Sequence, residues 1–250
     1  MERKAMAREG AAKGLFVVIE GQDGTGKTTL AREIVAALTA HGVVALGTRE
    51  PSGVFGQRIR EAAREGVRLE PWEEMAHFCM ARAQHWREVI EPALASGIVV
   101  VCDRWLYSTM VYNVPRICAA YGEASGERAA QMARASGVRA DLCLCLLVSE
   151  DARLARIEAR RVKGEVLDAF DALPDLRHAY EAACGGAECV RMEGGGQAEN
   201  LGRSLAHIRE AAGSRCILTV RGACVGLWDA LPRPLDAMEA EECERACAGV

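Results

Sequence analysis

Residues Ile19–Thr29 read IEGQDGTGKTT. They follow the apolar run Leu15–Val18 (LFVV) and precede a helical pattern over Lys27–Ala40. The spacing Gly21-x-x-x-x-Gly26-Lys27-Thr28 is the P-loop pattern, in the strand-then-helix setting that the pattern requires. Glycines allow the tight turn that aims successive backbone N–H groups at phosphate oxygens. The helix N-terminus adds a favourable field. Gly21, Gln22, Asp23, Gly24, Thr25, Gly26, Lys27, Thr28 and Thr29 are therefore the candidate ATP-binding set. Lys27 suits the β and γ phosphates and Thr28 suits Mg2+. A glycine-rich turn without a ligand is the bland alternative, and the agreement of spacing with context weighs against it. The cradle alone does not name the acceptor, because many unrelated activities share it.

Outward from the cradle, five β-type runs are expected: Leu15–Glu20, Val43–Thr48, Ile98–Cys102, Leu142–Val148 and Glu188–Met192. Most are continuously apolar, as strands buried on both faces are. Helical patterns cover Lys27–Ala40, Pro71–Ala95, Tyr107–Ala120, Ser125–Ser136, Asp151–Arg161, Pro174–Ala183 and Gln197–Ala211. Alternation of this kind predicts an α/β P-loop NTPase fold, a five-stranded parallel sheet flanked by helices on both faces. The expected domains are an N-terminal extension (1–13), a kinase-like body (14–213) with a helical lid at about 153–170, and an appendage of unknown role (214–250). The appendage offers a strand at Cys216–Val220, a proline-flanked turn and a short helix.

The chain has 250 residues and a formal net charge of −4. That balance argues against a nucleic acid polymer as partner, which calls for a basic surface. No apolar run approaches the ~20 residues of a membrane span. The eleven cysteines are odd in number and scattered through apolar runs. Buried thiols in a reducing cytoplasm fit this better than a disulfide framework. Cys216, Cys224, Cys243 and Cys247 raise a metal site in the tail, at a spacing that matches no zinc pattern.

The third strand ends in Asp103-Arg104, and the second in Thr48-Arg49. Ligands of parallel sheets sit beyond strand C-termini. Asp103 can orient Mg2+ or its water. Two arginines beside one cradle suggest a phosphorylated acceptor, although either alone reads more readily as a structural ion pair. Phe78 and Arg82, four apart, share a helix face and can stack and read a base. Alternatively Phe78 is core and Arg82 pairs with Glu74 or Glu88.

IEGQDGTGKTT, TREP (Thr48–Pro51), FCMARAQ (Phe78–Gln84) and DRWLYSTMVYN (Asp103–Asn113) together resemble the bacterial thymidylate kinases, of the P-loop nucleoside-monophosphate kinase group. The resemblance runs from about Gly14 to Ala211. It implies that Asp23 contacts the acceptor 3′-hydroxyl and that Arg49 and Arg104 hold its phosphate. Phe78 would stack on thymine and Arg82 would read a thymine carbonyl. Ser108 and Thr109 would lie at the base and sugar, and Tyr112 would crowd a 2′-hydroxyl. Asn113 stands where the family often has glutamine. The resemblance also implies a homodimer.

Four departures stand out. TREPSGV is one residue shorter and poorer in glycine than its counterpart, so the loop carrying Arg49 is expected to sit differently. No acid lies near Leu147. The lid keeps a basic cluster and the Phe170–Tyr180 spacing, but VKGEVLD replaces the family's acidic-basic stretch. The tail has no counterpart. Some family members carry an arginine inside the cradle where this chain has Gly24. Positive charge for the moving phosphoryl must then come from elsewhere, and Arg156 and Arg160 are the candidates, with Arg153 and Arg161 beside them. A solvated basic face is the alternative for each.

The expected reaction is transfer of the γ-phosphoryl of ATP to dTMP, with Lys27, Arg104, Arg156 and Arg160 acting on the moving group. The rivals are a kinase for another nucleotide or nucleoside, and a degenerate homologue that binds nucleotides without turnover.

Overall fold

A computed structural model of the chain describes residues 13–163, 175–213, 215–219 and 224–226. Strands β1 (Leu15–Glu20), β2 (Ala45–Arg49), β3 (Val99–Asp103), β4 (Leu142–Leu147) and β5 (Cys189–Glu193) form one sheet in the order β2-β3-β1-β4-β5. All its pairings are parallel. β1, β3 and β4 are buried at every position, which is why their sequences run apolar without alternation. The expected five-stranded parallel sheet is therefore present, with strand ends shifted by a residue or two.

Alternate residues of each strand feed opposite layers. Leu15, Val17 and Ile19 face α1 (Lys27–Ala40) and α9 (Gln197–Ala212), with Ile34, Leu38 and Ile208 between them. Phe16, Val18, Val100 and Cys102 face the other side, where α3 (Pro71–His85), α5 (Leu106–Tyr121) and α6 (Glu123–Ala135) pack. Phe16 there meets the edge of Trp105 with ring centroids 5.1 Å apart. A third cluster joins Cys143, Cys145 and Leu147 of β4 to Tyr180 and Cys184 at α8 (Arg177–Ala183).

The helix expected over Pro71–Ala95 is broken into α3, a π-helical turn at Trp86–Ile90 and α4 (Glu91–Ala95). Pro92 cannot donate to the carbonyl one turn back, so the ladder must skip there. A helix not expected from sequence, α2 (Gly53–Arg64), follows the TREP loop. It is amphipathic and buries Gly56, Ile59 and Ala62 on one narrow face, two of the three being small.

The strand expected at Cys216–Val220 is β6 (Cys216–Leu218), paired antiparallel with β7 (Cys224–Gly226). Leu218 O accepts from Val44 N at 2.9 Å, and Leu218 N donates to Gly97 O at 2.8 Å. Ile217 is 0% exposed within the α1 side of the core, and Arg215 pairs with Asp141 at 2.6 Å. Packing therefore continues past residue 213, and this piece of the appendage is part of the body. The N-terminal extension up to residue 12, the lid beyond Lys163, including Phe170, and the remainder of the tail lie outside the described residues. α7 (Glu150–Val162) is the part of the lid that is described.

Candidate active site

The cradle lies between β1 and α1, with Gly21, Gly24 and Gly26 at φ 138°, 86° and 99°. These angles suit glycine and strain other residues. At Gly21 a Cβ would also lie 2.5 Å from Leu146 O. The first turn of α1 has N–H groups without intrahelical acceptors, aimed into the loop. Thr25 Oγ1 and Lys27 Nζ both donate to Gln22 O at 2.8 Å, curling the loop around the lysine. Lys27 is 5% exposed, and its Nζ lies 3.8 Å from Asp23 Oδ1. Burial pushes the Lys27 ammonium below its ordinary range, and the Arg104 charge adds to the effect.

Thr28 and Asp103 meet at the strand ends, Thr28 Oγ1 donating to Asp103 Oδ2 at 2.6 Å. The other carboxylate oxygen, Asp103 Oδ1, is buried with no hydrogen-bond partner. A hydroxyl and an orphaned carboxylate oxygen form a donor set that suits a hard cation such as Mg2+. Both residues border a hollow that Arg49 also lines.

Arg49 then lines a second cavity, together with Asp23, Phe78, Arg104, Ser108, Thr109, Tyr112 and Asn113. The P-loop, β2, α3, β3 and α5 thus converge on one hollow, as the motifs predicted. Arg104 is its best-held cation. Among the described residues it alone combines a side chain beyond hydrogen with positive φ, 73°, a backbone state costing about 1–3 kcal/mol. Its guanidinium pairs with Asp23, donates to Ser108 Oγ at 2.9 Å and Tyr180 Oη at 3.3 Å, and lies over the Tyr112 ring. Burial raises the pKa of Asp23, but Arg104 and then Lys27 outweigh it and hold the carboxyl down at about 2.

Behind Arg104 lies Glu20, fully buried at the end of β1. It accepts from Trp105 N at 2.8 Å, Ser108 N at 3.1 Å and Ser108 Oγ at 2.6 Å. Burial pushes its carboxyl up. Glu20 ties the start of α5 to β1, and so sets where Arg104 and Ser108 stand. It stands inside the stretch IEGQDGTGKTT, but as the last residue of a strand it was given no role in the sequence reading.

Arg82 differs from the expectation of direct base contact. It is 0% exposed and outside the cavity lining. It donates to Glu50 at 3.0 Å, Ser136 at 3.0 Å, Trp105 O at 3.2 Å and Thr109 Oγ1 at 2.6 Å. Neither Glu74 nor Glu88 is its partner. Glu74 pairs with Arg116 and accepts from Asn113 Nδ2 at 3.0 Å, which holds Asn113 in the cavity wall. Arg82 reaches the cavity through Thr109. That hydroxyl accepts from Arg82 and keeps its own proton to donate.

Other cavity residues escaped the sequence reading. Ile59, Arg60 and Ala63 line it from α2, beside Glu50 and Pro51, and Arg60 donates to Pro51 O. The three on α2 were missed because the helix itself was missed.

The lid helix α7 lies on the cradle. A Cβ at Gly24 would sit 3.0 Å from Arg153 Cγ and 3.1 Å from Ile157 Cγ1, so a side chain there would displace α7. Arg153 is buried and pairs with Glu150 at 2.6 Å, while Arg161 is 73% exposed beside Glu158. Arg156 Nη1 donates to Thr25 O at 2.8 Å. Arg160 is close enough to help depress Asp23. Arg156 thus bonds the loop directly, and Arg160 stands one turn further along the same helix.

A family model described as thymidylate kinase matches residues 19–192. A thymidylate kinase of Solidesulfovibrio magneticus is 34% identical over 232 residues, spanning 90% of this chain and 96% of its own. One from Pseudomonas fluorescens is 34% identical over 205 residues, with 77% and 93% covered. One from Cereibacter sphaeroides is 38% identical over 168 residues, with 63% and 72% covered. With the cradle, the strand-end arginines and the sheet order in place, the chain belongs to the thymidylate kinase family.

Proposed function

We propose that the chain transfers the γ-phosphoryl of ATP to dTMP, giving dTDP and ADP. The observation that carries this reading is the junction at Asp23. One carboxylate of the phosphate cradle pairs with Arg104 of the neighbouring cavity, so donor and acceptor sites share a wall.

The loop N–H groups and Lys27 hold the β and γ phosphates of ATP. Thr28 and Asp103 hold Mg2+, which when bound neutralises charge on the phosphates. Arg49, exposed on the rim, and Arg104, fixed at the centre, grip the acceptor phosphate bidentately. Phe78 stacks on the base, Thr109 donates to it with Arg82 behind, and Asn113 completes that wall. Asp23 and Ser108 lie toward the sugar, and Tyr112 fills the space a 2′-hydroxyl would need. The acceptor phosphate oxygen is already a nucleophile, so no side chain acts as a base. Positioning and charge supply the rate. Arg156 and Arg160 bring the positive charge that Gly24 cannot. The enzyme works as a homodimer in the cytoplasm. Cys79, Cys102, Cys118, Cys143, Cys145, Cys184 and Cys189 are free thiols, in keeping with a reducing compartment, and no described helix is long and apolar enough to cross a membrane.

A coupled assay with ATP and Mg2+ across dTMP, dUMP, UMP, CMP and thymidine tests this. The highest kcat/KM is expected with dTMP. ADP formation that is fastest with another acceptor overturns the assignment. Nucleotide binding without ADP formation points instead to a homologue without turnover.

A further inference from the structure

Outside the active site, three cysteines from three places in the chain converge. Cys143 lies on β4, Cys184 caps the end of α8, and Cys189 opens β5. Their Sγ atoms all lie within 4.8 Å of one another. Cys143 and Cys184 are buried and Cys189 is half-buried.

The local build explains the convergence. Cys184-Gly-Gly-Ala-Glu-Cys189 is a C-x4-C segment, within the range of thiolate pairs that chelate one ion. The turn is closed by Cys189 N donating to Gly186 O at 3.0 Å. Parallel pairing then sets Cys143 level with Cys189, and Cys143 N donates to Glu188 O at 2.8 Å. Cys145, two residues along the same face and equally buried, touches Cys184 but does not lie within reach of all three. Thiols scattered as small hydrophobes behave like Cys102; these three share a point.

We infer that Cys143, Cys184 and Cys189 form a structural site for a thiophilic d10 cation, Zn2+ in the first instance. Zinc–sulfur bonds of about 2.3 Å put tetrahedral thiolates about 3.8 Å apart, a spacing this cluster adopts with small side-chain shifts. Thiolates select such ions over Mg2+. Binding releases the thiol protons, and a water on the half-open Cys189 side takes the fourth position. The ion would tie the end of α8 to β4 and β5. Tyr180 of α8 touches Arg104 and Ser108, so the tie braces the wall behind the acceptor cavity. The inference stands apart from the proposed reaction.

The test uses the full chain, purified with reductant, stripped with chelator and titrated with Co2+ as the spectroscopic probe. A near-ultraviolet thiolate-to-cobalt band, saturating at about one ion per chain and displaced by Zn2+, is expected. Cys189→Ser, at the half-open position where folding is least at risk, should weaken Co2+ binding on the order of a hundredfold. It should also remove the rise in Tm that Zn2+ causes in the parent. Cys243→Ser/Cys247→Ser should keep both signals. The inference is overturned if no thiolate band appears, if the band survives Cys189→Ser and vanishes in the tail variant, or if mass spectrometry finds two of the three cysteines joined as a disulfide. Ion binding to oxygen ligands alone, as at Thr28 and Asp103, gives no such band.

Discussion

Arg104 and Arg156 hold positive charge on opposite sides of the same cradle, and they are held very differently. Arg104 sits in a strained backbone state, with Asp23, Ser108, Tyr180 and the Tyr112 ring around it. Glu20 fixes the frame beneath it. Arg156 is exposed, on a helix surface, with a hydrogen bond to Thr25 O. On the proposed reaction, the preorganised acceptor wall would let Arg104 position a substrate before chemistry starts. The lid arginines would instead contribute when the moving phosphoryl needs charge. Preorganisation appears in KM and kcat together, whereas charge supplied late appears in kcat alone.

The largest expected effect tests what both walls depend on. Lys27→Met should lower kcat by about 10²–10³-fold with an unchanged circular dichroism spectrum. Near-normal turnover would mean that the cradle lysine is only a loop brace on Gln22 O. Next comes the lid side of the comparison. Arg156→Ala or Arg160→Ala should reduce kcat at least ~tenfold while KM for dTMP barely moves. Arg203→Ala, whose side chain on α9 donates to Glu193 O at the end of β5, should leave both constants alone. If both lid variants keep normal kcat, the distinction between fixed and late charge collapses.

On the acceptor side, Tyr112→Ala should narrow the dTMP preference over the ribo analogue several-fold, because the ring excludes rather than attracts. An unchanged kcat/KM ratio would remove Tyr112 from the specificity wall. The smallest effect is on stability. Asp23 is held at about 2 against an ordinary 3.8. An acid depressed on folding stabilises above its unfolded pKa, and that stability is lost as pH falls through the folded value. About 2 kcal/mol is therefore present above pH ~4 and disappears toward pH ~2. Thermal melts between those limits should show a steeper loss of Tm in the parent than in Asp23→Asn. Parallel slopes would show that Arg104 is held in place without the carboxylate.

The parts legible in sequence are those whose chemistry is local. The cradle needs its glycines and lysine at set distances along the chain, because neighbouring backbone groups make the site. The five strands show as apolar runs because a strand buried on both faces has no polar side. The strand-end arginines are visible because parallel sheets place ligands there. What could not be read depends on distant partners. Arg82 looked like a base reader, but Glu50, Ser136 and Thr109 approach from three other segments and enclose it. Helix α2 has a stripe of mostly small residues, Gly56, Ile59 and Ala62, and was not expected from sequence, so Arg60 and Ile59 went unseen. In sequence the tail was an appendage of unknown role, and Ile217 enters the core because the N-terminal ends of β2 and β3 leave backbone groups for Leu218 to satisfy. The cysteines show the division most plainly. Sequence alone put a metal idea in the tail, where four cysteines stand closest to the end of the chain. Only parallel pairing of β4 with β5 brings Cys143 level with Cys189, since sheet register joins residues that sequence separation keeps far apart.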